Sequence, residues 1–375
     1  MTDLHQTHIV RFFSGGAVLL LLLTATLQSQ GQDVQRPDYW IVSSRHCPQK
    51  GKQAACRLNY MRMGPNQFAR QSNIQEFHQS LQPGVPVCII AHGSFMNQRE
   101  LPFETEQMFR WLRSAAPEHP MHVVFFTWPS ESPFIMVPQL NVAILGRRAA
   151  YNGSYVARLI SQIPKNRPIS LIGHSHGART IAAAMHLLGG GDVQGLRNCG
   201  VSGHRIRVLL LAAAIDNHWL NPGERYGMAL CRAESMLIAR NRKDLVLGIY
   251  PLRRLFSHES LAHAGLARKN LAMMGGHAAK LSELDVTSLI GHGHYWHHYY
   301  RLPEIARAVA PFLYYRDANN DFNSGIFQRG GAPAQAFRQM SPKQPSRNPN
   351  RRPVFNAPLR ETFSNFKRTV SANRF

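Results

Sequence analysis

Between Tyr39 and Leu313, short apolar runs alternate with longer stretches in which apolar residues recur every three or four positions. The short runs read as strands: Tyr39 to Ser44, Val85 to Ala91, Met121 to Trp128, Ile169 to Ile172, Ile206 to Ala214 and Ser235 to Ala239. The run from Ile206 is almost continuously apolar, as a strand buried on both faces must be. The longer stretches predict helices over Phe103 to Ala115, Val142 to Ile163, Ala178 to Leu188 and Pro303 to Leu313. In the first of these Met108, Trp111 and Leu112 share a face; in the second Ala149, Val156, Leu159 and Ile160 do. Strands alternating with helices of this length predict an α/β fold, with a mostly parallel central sheet and helices on both faces. In such sheets the chemistry lies beyond the carboxyl ends of the strands.

Composition narrows the class. Of 375 residues, 44% are hydrophobic and 17% charged, which excludes a wholly disordered, collagen-like or coiled-coil chain. Only one strongly apolar segment occurs near the start, which excludes a multi-pass membrane protein. That segment, Gly15 to Leu27, is 13 residues long and follows His8 and Arg11, so residues 1–31 read as a signal peptide or N-terminal anchor. An extracytoplasmic location follows: secreted, periplasmic or envelope-anchored. The formal charge is +22. Residues 317–375 carry ten Lys/Arg against three acids among many Pro, Asn, Gln and Ser, and read as a basic disordered tail. Such a tail suits a solubilising role or an anionic polymer partner. Residues 32–316 are left as one globular domain.

Five cysteines are present without a C-x-x-C. In an oxidising compartment Cys47 and Cys56 can close a short loop, and Cys199 can pair with Cys231. Cys88, in an apolar run, reads as a buried free thiol.

The sharpest motif is Gly173-His174-Ser175-His176-Gly177, placed between the run Ile169 to Ile172 and a small-residue helix beginning at Ala178. G-x-S-x-G in that context holds a serine on a tight strand-to-helix turn, beside the free N–H groups of a helix start. Upstream stand His92-Gly93, directly after a strand, and Phe126-Thr-Trp-Pro-Ser130 at the end of another. Downstream stand Asp216, ending the run from Ile206, and Asn241-Arg-Lys-Asp244-Leu-Val-Leu247. Last comes Gly291-His292-Gly-His294-Tyr295-Trp296-His297-His298.

These motifs, spread from Trp40 to Leu313, resemble the alpha/beta-hydrolase superfamily, in particular a branch whose F-x-W-P-S strand precedes the elbow. The resemblance implies a serine hydrolase in which Ser175 attacks an acyl carbonyl. It implies an oxyanion hole from the backbone N–H of His176 and of Ser94, with Phe95 as the alternate. The acid is expected at Asp244, with Asp216 as the alternate. The G-H-G-H-Y-W segment resembles the family's G-H-S-D-Y-W, whose first histidine is the base. It therefore implies His292, with His294 in reserve. The substrate class expected is a small-molecule or lipid acyl compound, an ester or thioester before an amide, with no metal or cofactor. Two other readings stay open: a non-catalytic binding protein on the same scaffold that uses its tail on a polyanion, and a metal site in the four-histidine segment.

Overall fold

The structure, a computed structural model, describes residues 38–51, 56–64, 69–132, 138–197, 203–253 and 257–316. All of these fall in the first of two units into which the chain divides, Met1–Ala334. The expected leader, 1–31, and the expected basic tail, 317–375, lie outside the described residues. No helix among the described residues is long and apolar enough to cross a membrane.

Eleven strands are described: β1 (Tyr39–Ser43), β2 (Asn59–Met63), β3 (Ala69–Ser72), β4 (Val87–Ala91), β5 (His122–Thr127), β6 (Ile169–His174), β7 (Asp192–Val193), β8 (Leu196–Arg197), β9 (Ile206–Leu211), β10 (Ser235–Arg240) and β11 (Leu281–Asp285). Nine of them form one sheet in the order β11-β10-β9-β6-β4-β5-β1-β2-β3. Every neighbouring pair is parallel except β1/β2 and β2/β3. Four helices longer than ten residues cover it: α1 (Leu101–Ser114), α2 (Pro138–Gln162), α3 (His176–Leu188) and α4 (Pro303–Leu313). The crossovers β5-α2-β6 and β6-α3-β9 step one way across the sheet and β4-α1-β5 steps the other. Right-handed crossovers therefore put α2 and α3 on one face and α1 on the opposite one. On that second face Trp111 of α1 donates its indole N–H to Leu302 O (3.0 Å), just before α4. The result is an α/β fold with a mostly parallel central sheet and helices on both faces, as the pattern of the chain predicts, and it fits the hydrolase-like fold that the resemblance implies.

The central strands are buried on both faces along their whole length, which is why they read as unbroken apolar runs. Within the nine-stranded sheet, the strands without a clear sequence signal are β2, β3 and β11, at or beside the two edges. There one side lacks a cover, so polar residues such as Asn59, Arg70 and Glu283 interrupt the pattern. β9 stops at Leu211, before the expected Ala214, because Ala212 takes φ +45° and turns the chain out of the sheet.

Register decides where loops meet. Ala91 lies opposite Gly173, His174 opposite Leu211, Leu211 opposite Ala239 and Arg240 opposite Asp285. The carboxyl ends of β4, β6, β9, β10 and β11 therefore finish in one row, and the segments beginning at His92, Ser175, Ala212, Asn241 and Val286 leave from the same edge.

Cys47 and Cys56 form a disulfide, and Cys88 is a buried free thiol. Cys231 is a free thiol rather than half of a bridge, and Cys199 lies outside the described residues. The bridge closes a loop of sequence separation 9. On the chain-entropy account, replacing both cysteines by serine should lower the unfolding free energy by roughly 2–3 kcal/mol. A lower urea midpoint is the expected result.

Candidate active site

Ser175 sits between the end of β6 and the start of α3 with φ +54° and ψ −120°, a left-handed conformation that a side chain normally avoids. Its backbone is tied on both sides. Its N–H donates to Leu211 O (2.9 Å), and its carbonyl accepts from Ala178 N (3.1 Å) and Ala214 N (3.3 Å). The flanking glycines are required by space. A methyl group on Gly173 would lie 2.5 Å from Ala178 Cα, and one on Gly177 would collide with the carbonyls of Ala91 and His92. So α3 starts against β4 and β6 at backbone distance, and the serine is lifted, half-buried, to the edge of the sheet.

Three side chains converge there in a hydrogen-bonded line. His294 Nε2 lies 3.0 Å from Ser175 Oγ, and His294 Nδ1 lies 2.8 Å from Asp244 Oδ2. An ionised carboxylate only accepts, so Nδ1 carries the proton and Nε2 accepts from the serine hydroxyl. Asp244 is 1% exposed, and its other oxygen caps the short helix Leu245–Gly248 by accepting from Leu247 N at 2.9 Å.

The histidine in this line is His294, the reserve, and not His292, the one expected. His292 is exposed, with its neighbour Gly291 at φ +61° in the turn. Two contacts choose the residue. Asn241, fully buried at the end of β10, donates its amide to the carbonyls of Gly291 (2.9 Å) and Gly293 (3.1 Å). His174 Nε2, next to the serine, lies 2.8 Å from the carbonyl of His294. Together they press residue 294 against the elbow. Neither role was expected from sequence. The signals were nonetheless there: the histidine inside G-H-S-H-G, and the asparagine opening N-x-x-D.

The alternate acid, Asp216, is committed elsewhere. It is fully buried, pairs with the Arg253 guanidinium and lies 3.1 Å from Tyr250 Oη. The alternate oxyanion donor, Phe95, is likewise committed, since its N–H donates to Ser130 O at 2.7 Å. Ser94 Oγ lies 2.6 Å from His176 Nδ1, so the two residues expected to supply oxyanion amides touch through their side chains.

The F-T-W-P-S segment fixes that loop. Trp128 stacks on His92 with ring centroids 5.8 Å apart and donates its indole N–H to His92 O (3.0 Å). His92 Nε2 lies 2.9 Å from Thr127 Oγ1, and Ser130 donates its hydroxyl to Met96 O (2.9 Å). The four-histidine segment does not converge on an ion position. His294 faces the serine, while His297 and His298 stand over Tyr295. Among the described residues, the only His/Cys/Asp/Glu group close enough to share an ion is His46, Cys47 and Cys56, and its two cysteines are joined in the disulfide.

No family model and no curated protein matches the chain. Among solved structures it is similar to esterase B from Lactobacillus rhamnosis, described with a tributyrin phosphonate: 11% identity over 82% of this chain and 96% of that one, TM-score 0.36. It is also similar to the catalytic core of acetyl xylan esterase from Trichoderma reesei: 13% identity over 64% of this chain and 98% of that one, TM-score 0.28.

Three buried histidines surround the serine in the neutral form. Burial lowers the pKa of His92 and of His176 to about 3, helped at His176 by the Arg179 charge, and pushes His174 well below its ordinary value. The unfolded chain takes up these protons near pH 6.5 and the folded one does not. Stability is therefore intact above pH 6.5 and falls as pH drops toward 3. The loss should be up to roughly 1.4 kcal/mol per pH unit for each histidine. Urea midpoints at pH 7.5, 6, 5 and 4 should decline steeply over the last two steps.

Proposed function

We propose that the chain is a serine hydrolase that cleaves an ester or thioester through an acyl-enzyme, with Ser175 as nucleophile, His294 as base and Asp244 as the acid that orients it. The observation that carries this reading is the continuous line Ser175 Oγ, His294, Asp244, at 3.0 and 2.8 Å, on a strained strand-to-helix turn. A serine with an ordinary hydroxyl pKa is a weak nucleophile. It becomes a strong one when a neutral imidazole takes its proton as the bond to carbon forms. His294 Nε2 is placed to do so, and Asp244 holds the tautomer and stabilises the imidazolium that results.

The sequence of steps balances without a cofactor. Ser175 Oγ adds to the carbonyl carbon, and its proton passes to His294 Nε2. The tetrahedral intermediate collapses, and the alcohol or thiol leaves with that proton. Water then gives a proton to His294 and adds to the acyl-enzyme, releasing the acid and restoring the serine. The negative oxygen is assigned to the amides of His176 and Ser94, because the Phe95 amide is held by Ser130. His176 is the first residue of α3, where helix N–H groups lack intrahelical partners and the dipole end is positive. The apolar segment Gly15 to Leu27, expected to be a leader, and the Cys47–Cys56 bridge support action outside the cytoplasm.

A fluorophosphonate probe, which captures activated serines, should label the parent and fail to label Ser175→Ala. On a p-nitrophenyl ester, His294→Ala should lose at least about 10³ in kcat. His292→Ala should stay within about threefold. Equal damage from the two histidine variants would sink the assignment of the base, and a folded parent that does not label would sink the reading as a whole.

A further inference from the structure

One charge beside the nucleophile has no counter-ion among the described residues. Arg179 lies on α3 one turn after Ser175, and the residue keeps only 8% of its surface exposed. Helical Cα–Cβ bonds tilt toward the N-terminus, so a side chain at i+4 reaches back over the residue at i. The packing agrees. A methyl group on Gly146 of α2 would lie 2.5 Å from Arg179 Nη1 and 3.5 Å from His176 Nε2, so both groups occupy the space that the absent side chain leaves open.

The partners of the guanidinium are all uncharged. Nε donates to Tyr226 Oη (3.2 Å), and the group lies 4.9 Å from the Trp219 ring centroid. Among the described residues neither terminal amino group has an acceptor and no carboxylate pairs with it. A guanidinium has five N–H donors, and a charge this deep is costly to hold without an opposite one. The neighbouring charges do not cancel it. Asp216, the nearby buried carboxylate, is paired with Arg253. The guanidiniums of Arg179 and Arg253 both act on His176, and burial keeps that histidine neutral.

We infer that Arg179 is a substrate-recognition residue, and that the ester cleaved at Ser175 carries an anionic group, a carboxylate in the simplest case, which pairs with the Arg179 guanidinium close to the scissile carbonyl. The inference rests on the hydrolase reading and adds the substrate class to it. A planar fork that meets a carboxylate through two N–H groups is the recognition for which arginine is suited. Trp219 and Tyr226 provide an apolar wall behind it, which strengthens the pairing by lowering the local dielectric.

The test compares charged esters with neutral isosteres on the full chain. One arm places the charge on the acyl side, p-nitrophenyl glutarate against p-nitrophenyl valerate. The other places it on the alcohol side, 3-acetoxypropanoate against butyl acetate. In at least one arm the parent should favour the anion by tenfold or more in kcat/KM. Arg179→Met should bring that ratio to within about twofold of unity. Gly146→Ala, which crowds the guanidinium, should also reduce it. A parent without preference in either arm overturns the inference and needs no variant to do so. So does a folded Arg179→Met that keeps the parent ratio. Fluorophosphonate labelling of the same samples separates the two failures. A labelled parent without preference removes the anion site alone, and an unlabelled folded parent removes both.

Discussion

The approach of α3 to β4 and β6 at backbone distance is the constraint on which the rest of the site depends. It exists because Gly173 and Gly177 leave no side chain between the helix start and the strands, and it holds Ser175 at φ +54°. A residue in that conformation costs of order 1–3 kcal/mol. The cost is met by the three backbone hydrogen bonds of Ser175 and by a helix that is buried along its whole length. Once the turn is made, the serine projects from the sheet edge where four other loops begin, and those loops need only be held in register.

The holding is done largely by uncharged hydrogen bonds. His174 grips the carbonyl of His294, Asn241 grips Gly291 and Gly293, and Trp128 grips His92. A protonated imidazole at positions 92, 174 or 176 would add a charge to a dry site that already holds Arg179 and Arg253, so burial keeps all three neutral. The charges that remain are few and separated in role. Asp244 faces His294, Asp216 neutralises Arg253, and Arg179 stands without a carboxylate among the described residues. This separation also explains why two buried aspartates that follow neighbouring strands are not interchangeable: each is already spoken for by a cation or by the imidazole.

Much of this was legible in the chain. Central strands of a parallel sheet are covered on both faces, so their apolar runs are continuous and their ends can be read to within a few residues. The strands β2, β3 and β11, at or beside the edges, were not legible, because a strand covered on one side mixes polar and apolar residues and resembles a loop. The elbow at Ser175 was legible because its backbone geometry demands glycine at two fixed spacings. The place of Asp244 after β10 was legible from its motif, and the pairing of Cys47 with Cys56 from their short separation.

The choice among the histidines was different in kind. His292 and His294 are two residues apart in one loop, equal in chemistry and equal in chain order. Which of them meets Ser175 depends on the rotation of that loop, and the rotation is set by Asn241 and His174, more than 50 and 100 residues away. The same holds for Arg179. Its place on the helix follows from counting, but its lack of a counter-ion depends on Asp216 being taken by Arg253 and on the room left at Gly146. Local sequence determined what must be small, what must be apolar and where the nucleophile turns. Only the tertiary structure decided which of several chemically equivalent side chains reaches it, because that choice is made by contacts between segments that meet only after the sheet has formed.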